Sequence, residues 1–289
     1  MLRIELHTDA RAVAPTLASA TGADPLGYTL LSTVHAEVAS GARTYPGALW
    51  VVALDGDQAV GAAMRTPPHP LYVGPMPPEA ATSIVDAVAD ELTTEGSDPA
   101  ATLNGINGAE EPVRAAVARW QQRFPRVSVV GQVPIRLHRL GALKPPDVPG
   151  EPRAATEADL GLLLPWHEAF AIDVGHTAQG VEEMLRLRLG RGSMLVWSVA
   201  GEPVSMAGHT AVVAGVTRVG PVYTPPSQRG RGYGAAVTAA TSAAARAQPG
   251  AREVTLFTDL RNPTSNKVYA QIGYEPVRDY LEVELTTAP

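Results

Sequence analysis

The stretch Val219–Tyr233, VGPVYTPPSQRGRGY, constrains the fold of this chain more than any other segment. An apolar run that reads as a strand ends at Thr224, and Pro225-Pro226 stop it. Arg229-Gly230-Arg231-Gly232 follow, and the Ala-rich segment Gly234–Ala247 reads as a helix. Strand, Gly/Arg turn and helix start together make a cradle for an anion. The first backbone N–H groups of a helix have no partner inside it, and the helix dipole favours negative charge at that end. Glycines at 230, 232 and 234 remove side chains that would hold a phosphate away from those groups. The arginines add charge-assisted hydrogen bonds.

Charge points to the same place. The 289 residues carry a net charge of −6, which argues against bulk nucleic-acid or acidic-membrane binding. Yet no Asp or Glu lies between Glu202 and Glu253, while Arg218, Arg229, Arg231, Arg246 and Arg252 all do. A polyanionic small molecule meets its clearest positive region there. The length allows two domains of ordinary size, and 45 % hydrophobic residues supply a core. With no cysteine, disulfides, thiolate metal sites and cysteine nucleophiles are excluded. No run approaches the roughly 18 apolar residues of a membrane span, and MLRIELHTDA lacks the apolar core of a secretion signal. The expectation is a cytoplasmic protein with no membrane partner.

The second half of the chain repeats the order of elements of the first. In the first half, helices over residues 1–40 (Thr29–Ser40 among them) precede a hairpin, Ala48–Leu54 and Ala59–Met64, turned at Asp55-Gly56-Asp57. A short strand Leu71–Gly74, a helix Glu79–Glu95, a strand Ala101–Ile106, a helix Glu111–Arg123 and a strand Val127–Leu140 follow. Residues 141–152, GALKPPDVPGEP, are the most linker-like in the chain. In the second half, helices Glu157–Phe170 and Gly180–Leu189 precede a hairpin, Met194–Val199 and Pro203–Thr210. The strand Gly215–Thr224, the long helix, Glu253–Thr258, the helix Pro263–Ile272 and the strand Tyr274–Leu285 complete it. This predicts an α/β chain of two domains, residues 1–140 and 153–289, joined by a linker over 141–152.

A second chemical stretch is Thr258–Tyr274, TDLRNPTSNKVYAQIGY. Asn262 caps a helix, Pro263 takes its first position, and Gly273 ends it. Asn266 and Tyr269 share a face of that helix. A tyrosine, with an ordinary pKa near ~10, is protonated at neutral pH and is able to give its proton to a leaving thiolate.

Arg229, Gly232 and Gly234 match R-x-x-G-x-G. With the Asn/Tyr helix at this spacing, the chain resembles the GNAT superfamily of acyl-CoA-dependent N-acetyltransferases, closely over Val219–Tyr274 and more loosely over the rest of 153–289. The resemblance implies two tandem domains, each a central mixed sheet flanked by helices, with acetyl-CoA as co-substrate and no metal. It assigns the pantetheine arm to Val222, Tyr223 and Thr224, and the pyrophosphate to Arg229, Gly230, Arg231, Gly232, Tyr233 and Gly234. Asn262 and Asn266 would contact the cofactor, and Tyr269 would be the general acid. A small-molecule amine would attack the thioester directly, helped by strand amides at the developing oxyanion. For the base, the strand Gly215–Thr224 offers no carboxylate; Glu168, His176 and His209 are the candidates.

The first half resembles the same fold without the signature. After Leu71–Gly74 it carries PMPPEAAT, with no Gly run, no Arg, and prolines that lack N–H donors. Other readings remain beside this one. Gly230, Gly232 and Ala235 also fit a dinucleotide fingerprint, with Asp259 near the place of a ribose-binding acid, which would make the chain an NAD(P)-binding oxidoreductase. A non-catalytic acyl-CoA-binding or sensing module fits the absence of an evident base.

Overall fold

Two strand-pairing units make up the computed structural model, which describes residues 2–175 and 180–287. The first comprises Met1–Leu137, Asp259–Arg261 and Arg278–Pro289; the second comprises His138–Thr258 and Asn262–Val277.

In the first unit, Arg3–His7 (β1) is an edge strand, followed by Ala10–Gly22 (α1) and Thr29–Ala39 (α2). The Asp9 carboxylate starts α1 by accepting from the Arg11 N–H at 2.8 Å. Leu49–Asp55 (β2) pairs antiparallel with β1 and turns back through Gly56 into Gln58–Arg65 (β3). Leu71–Val73 (β4) pairs with β3, Pro78–Thr94 (α3) and the single turn Pro99–Thr102 (α4) cross over, and Gly105–Ala109 (β5) lies parallel to β4. Glu110–Arg123 (α5) and Val127–Leu140 (β6) follow. One stripe of α3, Ala81, Ile84, Val85, Val88 and Leu92, is buried against Val51, Leu71, Val73, Ile106 and Trp120. That spacing is the amphipathic helical one, and each large aliphatic side chain so buried contributes roughly 1.5–3 kcal/mol.

The second unit opens on another edge strand, Glu151–Ala154 (β7). A capping box between Thr156 and Asp159 then starts Leu160–Asp173 (α6), and Val181–Gly190 (α7) follows. Met194–Val199 (β8) and Glu202–His209 (β9) form a hairpin turned by Ala200 and Gly201, whose φ angles of 51° and 86° are the paired positive values such tight turns demand. Val216–Tyr223 (β10), Tyr233–Arg246 (α8), Glu253–Asp259 (β11), Pro263–Gln271 (α9) and Tyr274–Thr287 (β12) complete the chain. The strand order is β11-β10-β9-β8-β7. Alternation along β9 sends Met206 into a core with Leu163 and Leu185 of α6 and α7, and sends Ala207 into a core with Tyr233 and Val237 of α8. The later part of β12, Tyr280–Glu284, pairs antiparallel with β5 in the first unit.

Three differences from the sequence expectation stand out. Both units begin with a strand, β1 or β7, where none was expected. The strand expected over Ala101–Ile106 starts at Gly105, because Asp98 caps α4 through Ala100 and holds Pro99–Thr102 helical. Residues 141–150 lie within the second unit and are bonded to it. The Gly141 N–H donates to Gly273 O at 2.9 Å, the Lys144 N–H to Ile272 O at 3.0 Å, and Trp197 Nε1 to Pro149 O at 2.9 Å.

A candidate acyl-CoA site in the second unit

The site begins where β10 leaves its neighbour. β10 and β11 pair in parallel from Val216–Glu253 to Arg218–Thr255, and no registered pair follows. β10 nevertheless continues for five residues, Val219 to Tyr223. On its other edge the register with β9 jumps from Val219–His209 to Val222–Ala207. One extra residue on β10 there makes a bulge at Gly220-Pro221, which bends the strand. The strand end past Arg218 thus has no registered partner on its β11 side, the edge an extended ligand would follow.

The cradle lies directly after it. Arg229 folds back: its Nε donates to Thr224 O at 2.9 Å, its Nη2 to Asp173 at 2.7 Å, and its guanidinium lies 5.6 Å from the Tyr223 ring centre. Thr224 is itself fixed by Ser205, whose Oγ lies 2.8 Å from its hydroxyl. Gly230 and Gly232 have φ of 79° and 81°, a conformation that favours glycine. A Cβ on Gly232 would also come 2.8 Å from Val148, so the segment 141–150 passes close beside the start of α8. Among the described residues, the backbone N–H groups from Gly230 to Ala235 have no acceptor. Such a row at a helix start, flanked by Arg229 and an exposed Arg231, fits a pyrophosphate. Tyr233 is different: its side chain is buried with Trp197, Val204 and Val237, so only its backbone belongs to the cradle.

The Asn/Tyr helix stands next to it in sequence and in packing. Asn262 caps α9, accepting from the Ser265 N–H at 3.1 Å. The Asn266 amide donates to Asn262 O at 2.7 Å and accepts from Thr258 Oγ1 at 2.8 Å. That second bond ties the end of β11 to α9. Thr258 Oγ1 therefore accepts from His138 Nε2, 3.2 Å away. Tyr269 packs half-buried in the apolar cluster that contains Val219, Val222 and Ala235, edge-on to Tyr274. It thus touches the cluster formed by the splayed strand and the first turn of α8. Burial pushes its hydroxyl up to about 12.

The three base candidates sit apart. Glu168 is exposed on α6, and His176 lies outside the described residues. His209 is 3 % exposed on β9, opposite Val219. Its Nδ1 lies 3.0 Å from Thr210 O, and a carbonyl only accepts, so Nδ1 carries the proton and Nε2 keeps the lone pair. Burial, with the charge of Arg188 on α7, lowers its pKa. His167 on α6 is pushed down to about 4, by burial first and then by the charge of Arg188. Neither Arg188 nor the β10 bulge carries a signal in the sequence: the guanidinium donates to Gly220 O across 32 residues of chain.

In the first unit the corresponding place is closed. β4 and β5 pair from Leu71–Ile106 to Val73–Gly108, which is the last residue of β4. Gly108 has φ 136°, and a Cβ there would lie 1.8 Å from Val73 O. Tyr28 fills the end of the strand: a Cβ on Gly74 would lie 2.1 Å from its ring, and its hydroxyl donates to Pro75 O. α3 starts after Pro77 with Pro78, so N–H groups are missing where the cradle would need them. The cavity nearby, about 450 Å³, is lined by acidic and basic side chains together, Glu110, Glu111 and Asp279 with Arg114 and Arg278.

Among the described residues, no helix is long and apolar enough to cross a membrane, and no group of His, Asp or Glu is placed to hold a metal ion. No curated protein matches the chain. Known folds match over its whole length. A tandem GNAT protein from the clavulanic acid biosynthesis pathway aligns at 14 % identity and a TM-score of 0.64, covering 100 % of this chain and 99 % of its own. A GCN5-related N-acetyltransferase from Sphaerobacter thermophilus aligns at 17 % identity and a TM-score of 0.62, covering 99 % and 96 %. A GNAT-family acetyltransferase from Colwellia psychrerythraea aligns at 12 % identity and a TM-score of 0.61, covering 98 % and 100 %. The model of the acetyltransferase (GNAT) family matches residues 163–274, which span the splayed strand, the cradle and the Asn/Tyr helix. The chain therefore has a tandem GNAT fold, and the acetyltransferase (GNAT) family model matches within its second half, over residues 163–274.

Proposed function

We propose that the second domain, residues 153–289, transfers an acetyl group from acetyl-CoA to a primary amine of a small molecule by direct attack, and that the domain over 1–140 is a degenerate copy that binds no acyl-CoA. The observation that carries this reading is the row of unsatisfied N–H groups from Gly230 to Ala235, set at the end of a strand that has parted from its neighbour.

The thioester supplies the activated acyl group, and the residues of this chain do the rest. The N–H groups of the cradle and Arg229 hold the pyrophosphate. The free edge of Val222–Thr224 holds the pantetheine arm, and the start of α9 at Asn262 and Asn266 borders the site. In the reaction the amine nitrogen bonds the acyl carbon, the carbon–sulfur bond breaks, and the nitrogen loses a proton. His209 Nε2 is the acceptor we assign for that proton, since its lone pair is fixed by the Nδ1 bond to Thr210 and it is neutral at pH 7. Tyr269 keeps its proton through the neutral range and gives it to the departing sulfur. The backbone N–H groups of β10 beyond its last registered pair with β11, Pro221 having none, are the donors we assign to the charge that develops on the acyl oxygen.

The test is a thiol-release assay with acetyl-CoA and a panel of small primary amines. Release that depends on an amine, with its N-acetyl product recovered, supports transfer. Tight acetyl-CoA binding with no turnover across the panel would make the domain a sensor instead, and NAD binding in place of acetyl-CoA would revive the dinucleotide reading.

A further inference from the structure

The end of β3, in the first unit, holds a charge that acyl transfer does not use. Alternation puts Arg65 on the same face as Ala63, the face that packs against α3, and opposite Leu49 of β2. It is 8 % exposed. Among the described residues it makes one hydrogen bond, from Nη1 to Gly47 O at 3.2 Å, and no ion pair. A guanidinium carries five N–H donors in a planar fork and keeps its charge at neutral pH. Burial pulls the pKa of Arg65 down, and the charge of Glu95, exposed at the end of α3, pushes it back up. A buried charge with a single carbonyl for a partner costs the fold stability. None of the Arg65 nitrogens is among the buried polar atoms left without a partner, so the rest of the fork meets solvent.

The two loops beside the fork are held in place. Residues 41–48 lead into β2, and residues 66–70 lead from β3 into β4. Pro67, Pro68 and Pro70 stiffen the second loop, and Asn104 Nδ2 ties it to the start of β5 by donating to Pro68 O at 3.0 Å. Tyr45 and His69 join the loops edge-on, their ring centres 5.8 Å apart. The Arg43 guanidinium lies 4.9 Å from the Tyr45 ring centre and pairs with Glu37 at 3.6 Å. Neither loop contains an Asp or a Glu. An anion that approaches Arg65 between them therefore meets no carboxylate on either loop. This is the end of β4 away from Gly74 and the Tyr28 plug, so it is not the remnant of a cradle.

We infer that Arg65 is the centre of a binding site for a small oxyanion, a carboxylate or phosphate group held by the guanidinium fork between residues 43–47 and 66–70. The oxyanion accepts from the N–H groups that Gly47 leaves open, and it supplies the counter-charge that the fold lacks. The site belongs to the first unit and owes nothing to the acyl-transfer reading of the second.

The experiment is calorimetric titration of the full chain with inorganic phosphate and, separately, with succinate, at an ionic strength held constant with chloride. The proteins are the wild type, Arg65→Met, Arg65→Lys and Arg229→Ala. At least one of the two oxyanions should bind, and Arg65→Met should weaken that binding tenfold or more. Arg229→Ala should leave it within twofold, because the cradle is a different site. Arg65→Lys, which keeps the charge and loses the fork, should retain part of it, and it takes over as the test if the Met variant does not fold. In chloride buffer Arg65→Met should melt no lower than the wild type, since an apolar chain of similar length replaces a poorly paired buried charge. A large fall would make Arg65 a structural donor to Gly47 and count against the site. Neither oxyanion bound, or binding that survives in Arg65→Met, overturns the inference. Binding lost in Arg229→Ala instead assigns the oxyanion to the cradle and overturns it as well. Phosphate bound without succinate, or the reverse, names which oxyanion the site takes and supports it.

Discussion

Arg218 faces Thr255 in the last registered pair between β10 and β11, and the cradle begins eleven residues later at Arg229. In the first unit the equivalent last pair, Val73 with Gly108, coincides with the end of its strand. One chain therefore contains both an open and a closed form of the same junction. The difference is chemical. The open one has five further strand residues, a Gly/Arg turn and N–H groups that find no acceptor among the described residues; the closed one has prolines and a tyrosine plug.

Arg229 spans the cradle and α6, so its loss should be felt in cofactor affinity. A hydrogen bond to a charged group contributes about 1.5–3 kcal/mol. Arg229→Ala should raise the acetyl-CoA dissociation constant roughly tenfold or more. The Asp173 carboxylate competes with phosphate for the same guanidinium. Asp173→Asn should therefore tighten binding, and weaker binding in that variant would show the ion pair to be part of the bound state.

Tyr269 is packed in the cluster that contains Val219, Val222 and Ala235, and burial pushes its hydroxyl up to about 12. Tyr269→Phe should lower kcat at least about tenfold, within the usual range for general acid catalysis. Acetyl-CoA affinity should hardly change. A variant as fast as the wild type removes Tyr269 from the mechanism.

Acid should destabilise the second unit through its histidines. His167 is pushed down to about 4 from an ordinary 6.5, and His209 is lowered as well. The unfolded chain binds these protons first, so the stabilisation is complete above pH 6.5 and is lost as pH falls toward 4. Melting temperatures recorded from pH 8 to pH 4 should show this fall, and His167→Gln should flatten it. An unchanged slope in the variant would mean that His167 is solvated in the folded state.

Gly108 is where the first unit is closed, and it has no room for a side chain. Gly108→Ala combines positive φ with a backbone clash against Val73 O. Strain and overpacking of this kind cost about 1–3 kcal/mol each, so a loss of roughly 2–6 kcal/mol is expected in denaturant unfolding. A neutral substitution would show that the β4–β5 junction opens readily, against the assignment of a sealed domain.

Much of this was legible in the residues. β6 runs over Val127–Leu140 as its apolar pattern indicates, and Asn262-Pro263 starts α9 as cap and first-turn proline. The edge strand β7 was not legible, because EPRA is exposed throughout and carries no alternating apolar run; β1 does alternate, with Leu2, Ile4 and Leu6 packed on the core of the first unit, but the run is short. Residues 141–152 read as a linker from their Pro and Gly, yet Leu143 and Val148 pack into the second unit, and composition does not record such contacts. At the site, the Gly/Arg turn announced itself, since glycine and arginine have few structural reasons to alternate. The strand splay, the bulge and Arg188 did not, because they arise from pairings between residues far apart in sequence.

The most direct measurement is calorimetric titration of the purified chain with acetyl-CoA, reading affinity and stoichiometry, with NAD as the control. The account predicts one site per chain, weakened by Arg229→Ala, and no binding of NAD. Two sites per chain would contradict the sealed first domain, and NAD bound in place of acetyl-CoA would contradict the acyl-CoA cradle itself.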